Sequence, residues 1–413
     1  MAIESAAMSR RVARIACLVL VAGLLPGGAA MAQLPIKAPA PVTVGSIIPF
    51  NHGATGEWSQ IYSMKISPNG NIVFLDSAVS QIYQLATGAS TPTLVVGPAP
   101  SNGHSDCSVL EPSGSYWNAA VAFDAQNNLY VTDRYGSSVQ FCRVPYDPTS
   151  KTWKFQTSDN WVGPTYTNSS GVSSPIPPQD LQVGDDGTFY VSTSDTQAIY
   201  KFTVNAAGTV TSVTPMVTGM QDMTSNLAVD HAGNLFFLEN AYDAPSNRVT
   251  GIREVPAGTT LPIAGDGTGK AESQLPRIDP AGAGFNGIKG ISFDAQGNLY
   301  FSSENNSSYG GEVDGVFMIP NEGTPTAPNL VWADTVRVSP VASGFSVLVD
   351  PRGLLWIPTG GNSNWAPPGS AAPTCDSTST KTIDATCLDS SIVLWKPGEL
   401  NMGSSPVGTP GAT

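Results

Sequence analysis

Residues Ile291 to Ser303 read I-S-F-D-A-Q-G-N-L-Y-F-S-S. Ile291 and Phe293 flank Ser292, the period of two expected of a strand with one buried face. Asp294 to Asn298 carry the signature of a tight turn, and Leu299, Tyr300 and Phe301 begin a return strand. A short hairpin loop usually needs one residue at positive φ, which Gly297 supplies without steric cost. Asp294 can accept a hydrogen bond from the backbone two residues on and so fix the turn.

The stretch recurs. Val121 to Asp133 reads V-A-F-D-A-Q-N-N-L-Y-V-T-D, Leu227 to Glu239 reads L-A-V-D-H-A-G-N-L-F-F-L-E, and Val347 to Thr359 reads V-L-V-D-P-R-G-L-L-W-I-P-T. Weaker copies run from Met64 to Asp76 and from Leu181 to Thr193. The turn glycines are Gly70, Gly187, Gly233, Gly297 and Gly353. The remaining copy has Asn127 there, one of the few other residues that tolerate the left-handed region. The period has room for about four strands of five or six residues plus loops. Self-similar four-stranded units arranged radially are propeller blades. The expected fold is all-β: a six-bladed β-propeller of four-stranded blades over residues 43–398.

The pattern φ-x-φ-D-x-x-G-N-L-Y-φ-x-D resembles the NHL repeat and the TolB-like propeller architecture, in proteins of the exported bacterial type. Arg248 to Asp294 is especially similar, with R-V-T-G-I-R-E-V, then L-P-I-A-G-D-G-T-G, then G-I-K-G-I-S-F-D. The resemblance covers roughly Val44 to Pro397. It implies a six-bladed propeller and says little about activity, because one such fold hosts many functions.

The ends read differently. Arg10, Arg11 and Arg14, the apolar run Ile15 to Leu25 and Ala30-Met31-Ala32 predict a signal peptide over residues 1–32, cleaved near Ala32. The expected location is therefore periplasmic or extracellular. Residues 33–42 are a Pro-rich linker and 399–413 a disordered tail. Val44 to Phe50 and Ser391 to Lys396 each read as a strand lacking a partner. Pairing them closes the ring in the last blade and removes two exposed edges.

Four cysteines remain after cleavage, an even number in an exported chain. Cys375 and Cys387 share one loop, which favours Cys375–Cys387 and leaves Cys107–Cys142. The formal charge of −13 argues against nucleic acid as a partner. No stretch beyond the signal segment is long and apolar enough to span a membrane, and a monomer is expected.

In a propeller the first strand of each blade lines the central channel. One mouth is built from the residues before that strand and the loops after the second strand. The longest such loops are Asn240 to Arg248, Glu304 to Gly315 and Gly360 to Ser390, which carry Tyr242, Tyr309 and Trp365. The second strands end in Asp76, Asp133 and Glu239, followed in two copies by Arg134 and Glu304. The first strands are led by Asp180 and Asn226, with Asn118 and Lys289 nearby. This is where carboxylates of different blades can converge, and a negative cavity there suits a cation or a ligand with a cationic group. Propeller lactonases of the gluconolactonase and paraoxonase type, which the architecture resembles, hold Ca²⁺ with Glu, Asn and Asp. The resemblance implies Glu239, Asn226 and Asp180 for that role. Equally, a polar residue ending a second strand can simply bond the following turn.

His52, His104 and His231 are scattered, which disfavours a zinc site, and His231 belongs to a hairpin turn on the face opposite the mouth. No G-x-S-x-G elbow is present. Two function classes stand. One is an exported binding module presenting its loop face to a protein, peptide or glycan. The other is a Ca²⁺-dependent lactonase, hydrolase or lyase. The lack of a clear nucleophile–base pair points to the first, and no catalytic residue is assigned.

Overall fold

The protein is an all-β propeller. The computed structural model describes residues 47–49, 61–76, 390–395 and, with breaks, 81–360. The predicted signal peptide, Pro-rich linker and tail, and the loop holding Trp365, Cys375 and Cys387, lie outside the described residues.

The repeated hairpin forms as its sequence dictates. In each copy the turn residue accepts a hydrogen bond from the backbone three residues on, as in Gly297 N to Asp294 O at 3.0 Å and Asn127 N to Asp124 O at 3.0 Å. The residue at the third turn position has positive φ in all six: Gly70 86°, Asn127 66°, Gly187 79°, Gly233 82°, Gly297 81° and Gly353 76°. This is a turn closed by a left-handed residue, the usual three-residue hairpin loop.

The Asp and the Asn of the motif have distinct roles. Asp294 Oδ1 accepts from Gln296 N and Asn298 N, both at 2.9 Å. Its Oδ2 accepts from Asn298 Nδ2 at 2.8 Å and from the Tyr300 hydroxyl at 3.1 Å. Asp124 repeats all four bonds with Gln126, Asn128 and Tyr130. At Asp350 the ring donor is Trp356 Nε1, at 3.2 Å. The Asn then ties the hairpin to the end of the third strand: Asn298 Oδ1 accepts from Asn321 N at 2.8 Å, and Asn234 Oδ1 from Ala257 N at 2.7 Å. The D-x-x-G-N-x-Y pattern is thus a hydrogen-bond module joining three strands of one sheet.

Among the described residues, six sheets have three strands or more. Their first strands are Ile61–Ile66, Ala120–Phe123, Pro178–Val183, Ser225–Val229, Ile288–Phe293 and Leu348–Val349. Apolar clusters fill the gap between each sheet and the next. Val73 and Leu75 of the first sheet pack with Val121 and Val131 of the second, and Phe236 and Leu238 of the fourth with Phe301 and Phe317 of the fifth. Ile61 and Phe74 meet Trp356 of the last sheet, which brings the series back to its start.

The expected closing strand is in place. Ile47–Pro49 pairs antiparallel with Ser390–Trp395, in the register Ile47↔Val393 and Pro49↔Ser391. It becomes the outer strand of a sheet of four.

Uniform four-stranded blades are not observed: the sheets have three, four or five strands. The differences arise at the outer edges. Val109–Leu110 and Ile263–Ala264 add as short parallel strands to sheets that already have four. The Ile263–Ala264 segment follows the fourth sheet in sequence but pairs with the third. The fourth sheet keeps three strands, and an isolated bridge Arg253↔Arg277 covers its edge. Glu254 N donates to Pro276 O and Ile278 N to Ile252 O beside it.

One expected loop is mostly strand. The sequence places the loop after the fourth copy's second strand over Asn240 to Arg248. The ladder instead continues through Asn240↔Thr250 to Asp243↔Asn247. Tyr242 sits on the strand opposite Arg248.

Candidate functional site in the central channel

The six first strands line a channel cavity of about 440 Å³. Two sequence positions per strand recur along it. Nearer the mouth are Ser63, Asp180, Asn226 and Ser346, with Ala120 and Gly290 equivalent to them. Two residues further on come Lys65, Ala122, Gln182, Ala228, Ser292 and Leu348. Register shifts fall at the start of four of the strands, between Ile61/Ser63, Pro178/Asp180, Ser225/Leu227 and Ile288/Gly290. Such bulges re-aim side chains at a sheet end. Asn226 is itself in the left-handed region, at φ 60°.

The mouth residues mostly bind neighbouring strands. Asp180 Oδ1 accepts from Leu181 N at 2.8 Å, and Oδ2 from Leu227 N of the next sheet at 2.6 Å. Asn226 Nδ2 donates to the Lys289 carbonyl of the sheet after that. Ser63 Oγ accepts from Val121 N, and Ser292 Oγ from Val349 N, each at 3.3 Å. Gly290 has a steric reason to be Gly: a Cβ there would lie 2.7 Å from Ser346 Cα and from Val347 N.

Lys65 enters this wall from the first sheet. Its ammonium donates to Gln182 Oε1 of the third sheet at 2.7 Å and stands 4.0 Å from Asp180 Oδ1. The Lys65 side chain is 19% exposed and that of Asp180 10%. The far end of the channel holds the hairpin turns. His231 Nδ1 pairs with Asp185 Oδ2 at 2.6 Å. That hydrogen bond is the main cause holding the His231 pKa above the usual imidazole value, with burial opposing it and the Asp185 and Asp230 charges assisting. Burial first, then the charges of Asp186 and Asp230, push the Tyr190 hydroxyl up to about 12.

Of the residues expected at the mouth, Asp180 and Asn226 line the cavity. Lys289 sits at a bulge and contributes its carbonyl to Asn226. Asp76 ends its strand fully buried and is not among the lining residues. Asp133, Arg134 and Glu239 lie on second strands as expected, but their side chains are outside the described ones. Asn118, Glu304 and Trp365 lie outside the described residues. His231, expected on the far face, does lie in a turn at that end, yet it borders the same cavity.

Of the three residues expected to hold calcium, the side chains of Asp180 and Asn226 are described and that of Glu239 is not. Both Asp180 oxygens accept backbone N–H groups, Asn226 Nδ2 donates to the Lys289 carbonyl, and the Lys65 ammonium stands 4.0 Å from Asp180 Oδ1. Among the described residues no three His, Cys, Asp or Glu gather around one point. Lys65 adds a positive charge to a wall that the sequence reading describes as negative. Sequence reading missed Lys65 and Gln182. The available signal was two long polar side chains at a repeat position that elsewhere holds Ala122, Ala228, Ser292 and Leu348.

No family model matches the chain, and no curated protein matches it. Solved structures similar to it are propellers. The PQQ-bound aldose sugar dehydrogenase of Streptomyces coelicolor is 16% identical, over 86% of this chain and 99% of that one, with a TM-score of 0.47. A gluconolactonase of Xanthomonas campestris is 13% identical over 79% and 96%, with a TM-score of 0.41. A virginiamycin B lyase of Staphylococcus aureus with quinupristin is 11% identical over 75% and 80%, with a TM-score of 0.42.

Proposed function

We propose that this protein is a small-molecule propeller of the hydrolase or lyase class, working inside its central channel and not on its outer loop face. One observation carries the reading: the first strands enclose a cavity of about 440 Å³ into which Lys65, Gln182 and Asp180 converge from two different sheets. A concave site with a few convergent polar groups is the ordinary form of a small-molecule site, and about 300–1,000 Å³ is its usual range. A lactone or a related ester is the substrate class that goes with the gluconolactonase-like resemblance of the sequence. The rest of the reading is six blades, export after cleavage near Ala32, a monomer, and disulfides Cys375–Cys387 and Cys107–Cys142. Six sheets in sequence order with apolar clusters between them support the count.

The test is hydrolysis of glucono-1,5-lactone by the purified mature protein, followed by pH-stat, with added Ca²⁺ and with EDTA. Turnover above the spontaneous rate in both conditions supports a channel enzyme that does not require metal. Turnover abolished by EDTA restores calcium, with Glu239 as the ligand to examine first. No turnover, together with capture of a glycan or peptide that survives filling of the channel, returns the protein to the binding-module class.

A further inference from the structure

We propose that the channel takes a small, oxygen-rich carboxylate, a hydroxy acid, and that Lys65 is the residue that holds its carboxylate. The inference rests on the reading of the channel as a small-molecule site and adds the chemistry of what enters. It follows from which hydrogen-bonding capacity the wall has left over.

An ammonium carries three N–H donors and no acceptor. One Lys65 N–H goes to Gln182 Oε1 at 2.7 Å, and the next nearest acceptor, Asp180 Oδ1, is beyond hydrogen-bond reach at 4.0 Å. Two donor directions therefore remain on a four-fifths buried cation. Ser63 and Ser292 use their oxygens to accept backbone N–H groups of the adjoining strands, which leaves each O–H as a donor. Lys65, Ser63 and Ser292 thus present donors to the cavity. Ala122 and Ala228, at the repeat position of Lys65, leave the space in front of it open.

Charge permits an anion here. The carboxylates of Asp124 and Asp294 at the far end are each held by four donors, and Asp185 is paired with His231. Asp350 accepts from Leu354 N and Trp356 Nε1, and Asp180 has its oxygens turned to the N–H groups of Leu181 and Leu227. A carboxylate placed at Lys65 fills the two open N–H directions with charge-assisted bonds. Hydroxyls on the same molecule meet Ser63 and Ser292. A hydroxy carboxylate is also what opening a lactone leaves behind, so the same anchor would receive the product of the proposed reaction.

Sodium D-gluconate is the probe, titrated by calorimetry into the mature protein, into Lys65→Met and into Lys201→Met, whose lysine is on a third strand away from the cavity. Sorbitol, the uncharged counterpart, is titrated in parallel. Wild type and Lys201→Met are expected to bind gluconate, with an affinity that falls as NaCl is raised. Lys65→Met is expected to bind about tenfold or more weakly, the worth of a charge-assisted bond, and sorbitol to bind comparably weakly to every form. Where Lys65→Met does not fold, Lys65→Gln replaces it. Equal gluconate affinity with and without the ammonium, or no gluconate binding by folded wild type, overturns the proposal. Lactone turnover separates the two claims. Gluconate held through Lys65 without turnover leaves this inference standing and removes the enzyme reading. Turnover untouched by Lys65→Met does the reverse.

Discussion

Replacing Asp294 with Ala removes the acceptor around which one whole hairpin is built. Four donors converge on its carboxylate: Gln296 N, Asn298 N, Asn298 Nδ2 and the Tyr300 hydroxyl. Gln296 is exposed and regains water; the Tyr300 hydroxyl is buried and is orphaned. Hydrogen bonds to a charged group contribute about 1.5–3 kcal/mol each, and an orphaned buried donor costs about 1–3 kcal/mol. The four act as a unit, so their sum overstates the loss; about 3–4 kcal/mol is expected. Asp294→Asn keeps an acceptor for the two backbone N–H groups but turns an NH₂ toward Asn298 Nδ2, and about half of that loss is expected. Asp186→Ala is the control. Its carboxylate is exposed and binds only Thr188, so under about 1 kcal/mol should be lost. Urea unfolding, read by tryptophan fluorescence and circular dichroism, measures all three, provided the two transitions coincide. Equal, sub-kilocalorie losses for Asp294→Ala and Asp186→Ala would refute the view that the motif is a structural module.

Further outcomes are expected. Gly290→Ala should destabilise by about 1–3 kcal/mol, the usual range for overpacking, because its Cβ meets backbone and not a movable side chain; a neutral result in urea would show that the first strands can part. The Asp185 bond raises the His231 pKa in the folded state. Its stabilisation is therefore fully present below about pH 6.5, the unfolded value, and lost as pH rises through the folded one. The gap in urea midpoint between wild type and His231→Gln should shrink from acid to alkaline pH, and a widening gap would contradict the pairing. If the proposed disulfides form, the non-reduced mature protein should show no thiol on titration under denaturing conditions, whereas two or more thiols would remove at least one bridge.

Much of the fold was legible because the hairpin carries its own grammar. Gly and Asn are the residues that most readily take positive φ, and the five glycines and Asn127 occupy that conformation at the positions the sequence marks. The closing strand was legible for a similar reason, since Ile47–Pro49 and Ser390–Trp395 are apolar edges that need each other. The outer edges were not legible. Ile263–Ala264 joins the sheet before its own, and two residues of parallel pairing leave no periodic trace. The Asn240 to Arg248 segment misled because its composition is that of a turn, whereas the twisting two-stranded ladder that carries it tolerates polar residues on both faces. At the site, Asp180 and Asn226 were legible by position, but their hydrogen-bond partners were not. Only the fold shows that their polar atoms face the N–H and C=O groups of neighbouring strands. Lys65 was overlooked because it lies within a strand, where a single lysine reads as solvent-facing. Its reach to Gln182, 117 residues away in sequence, exists only once the channel is assembled.

The most direct test of the account is a crystal structure of the mature protein soaked with D-gluconate at a concentration that saturates it in solution. The account predicts the ligand inside the channel, its carboxylate within hydrogen-bond distance of Lys65 Nζ and its hydroxyls turned to Ser63 and Ser292. Gluconate seated on the outer loop face, with Lys65 still bound only to Gln182, would contradict it.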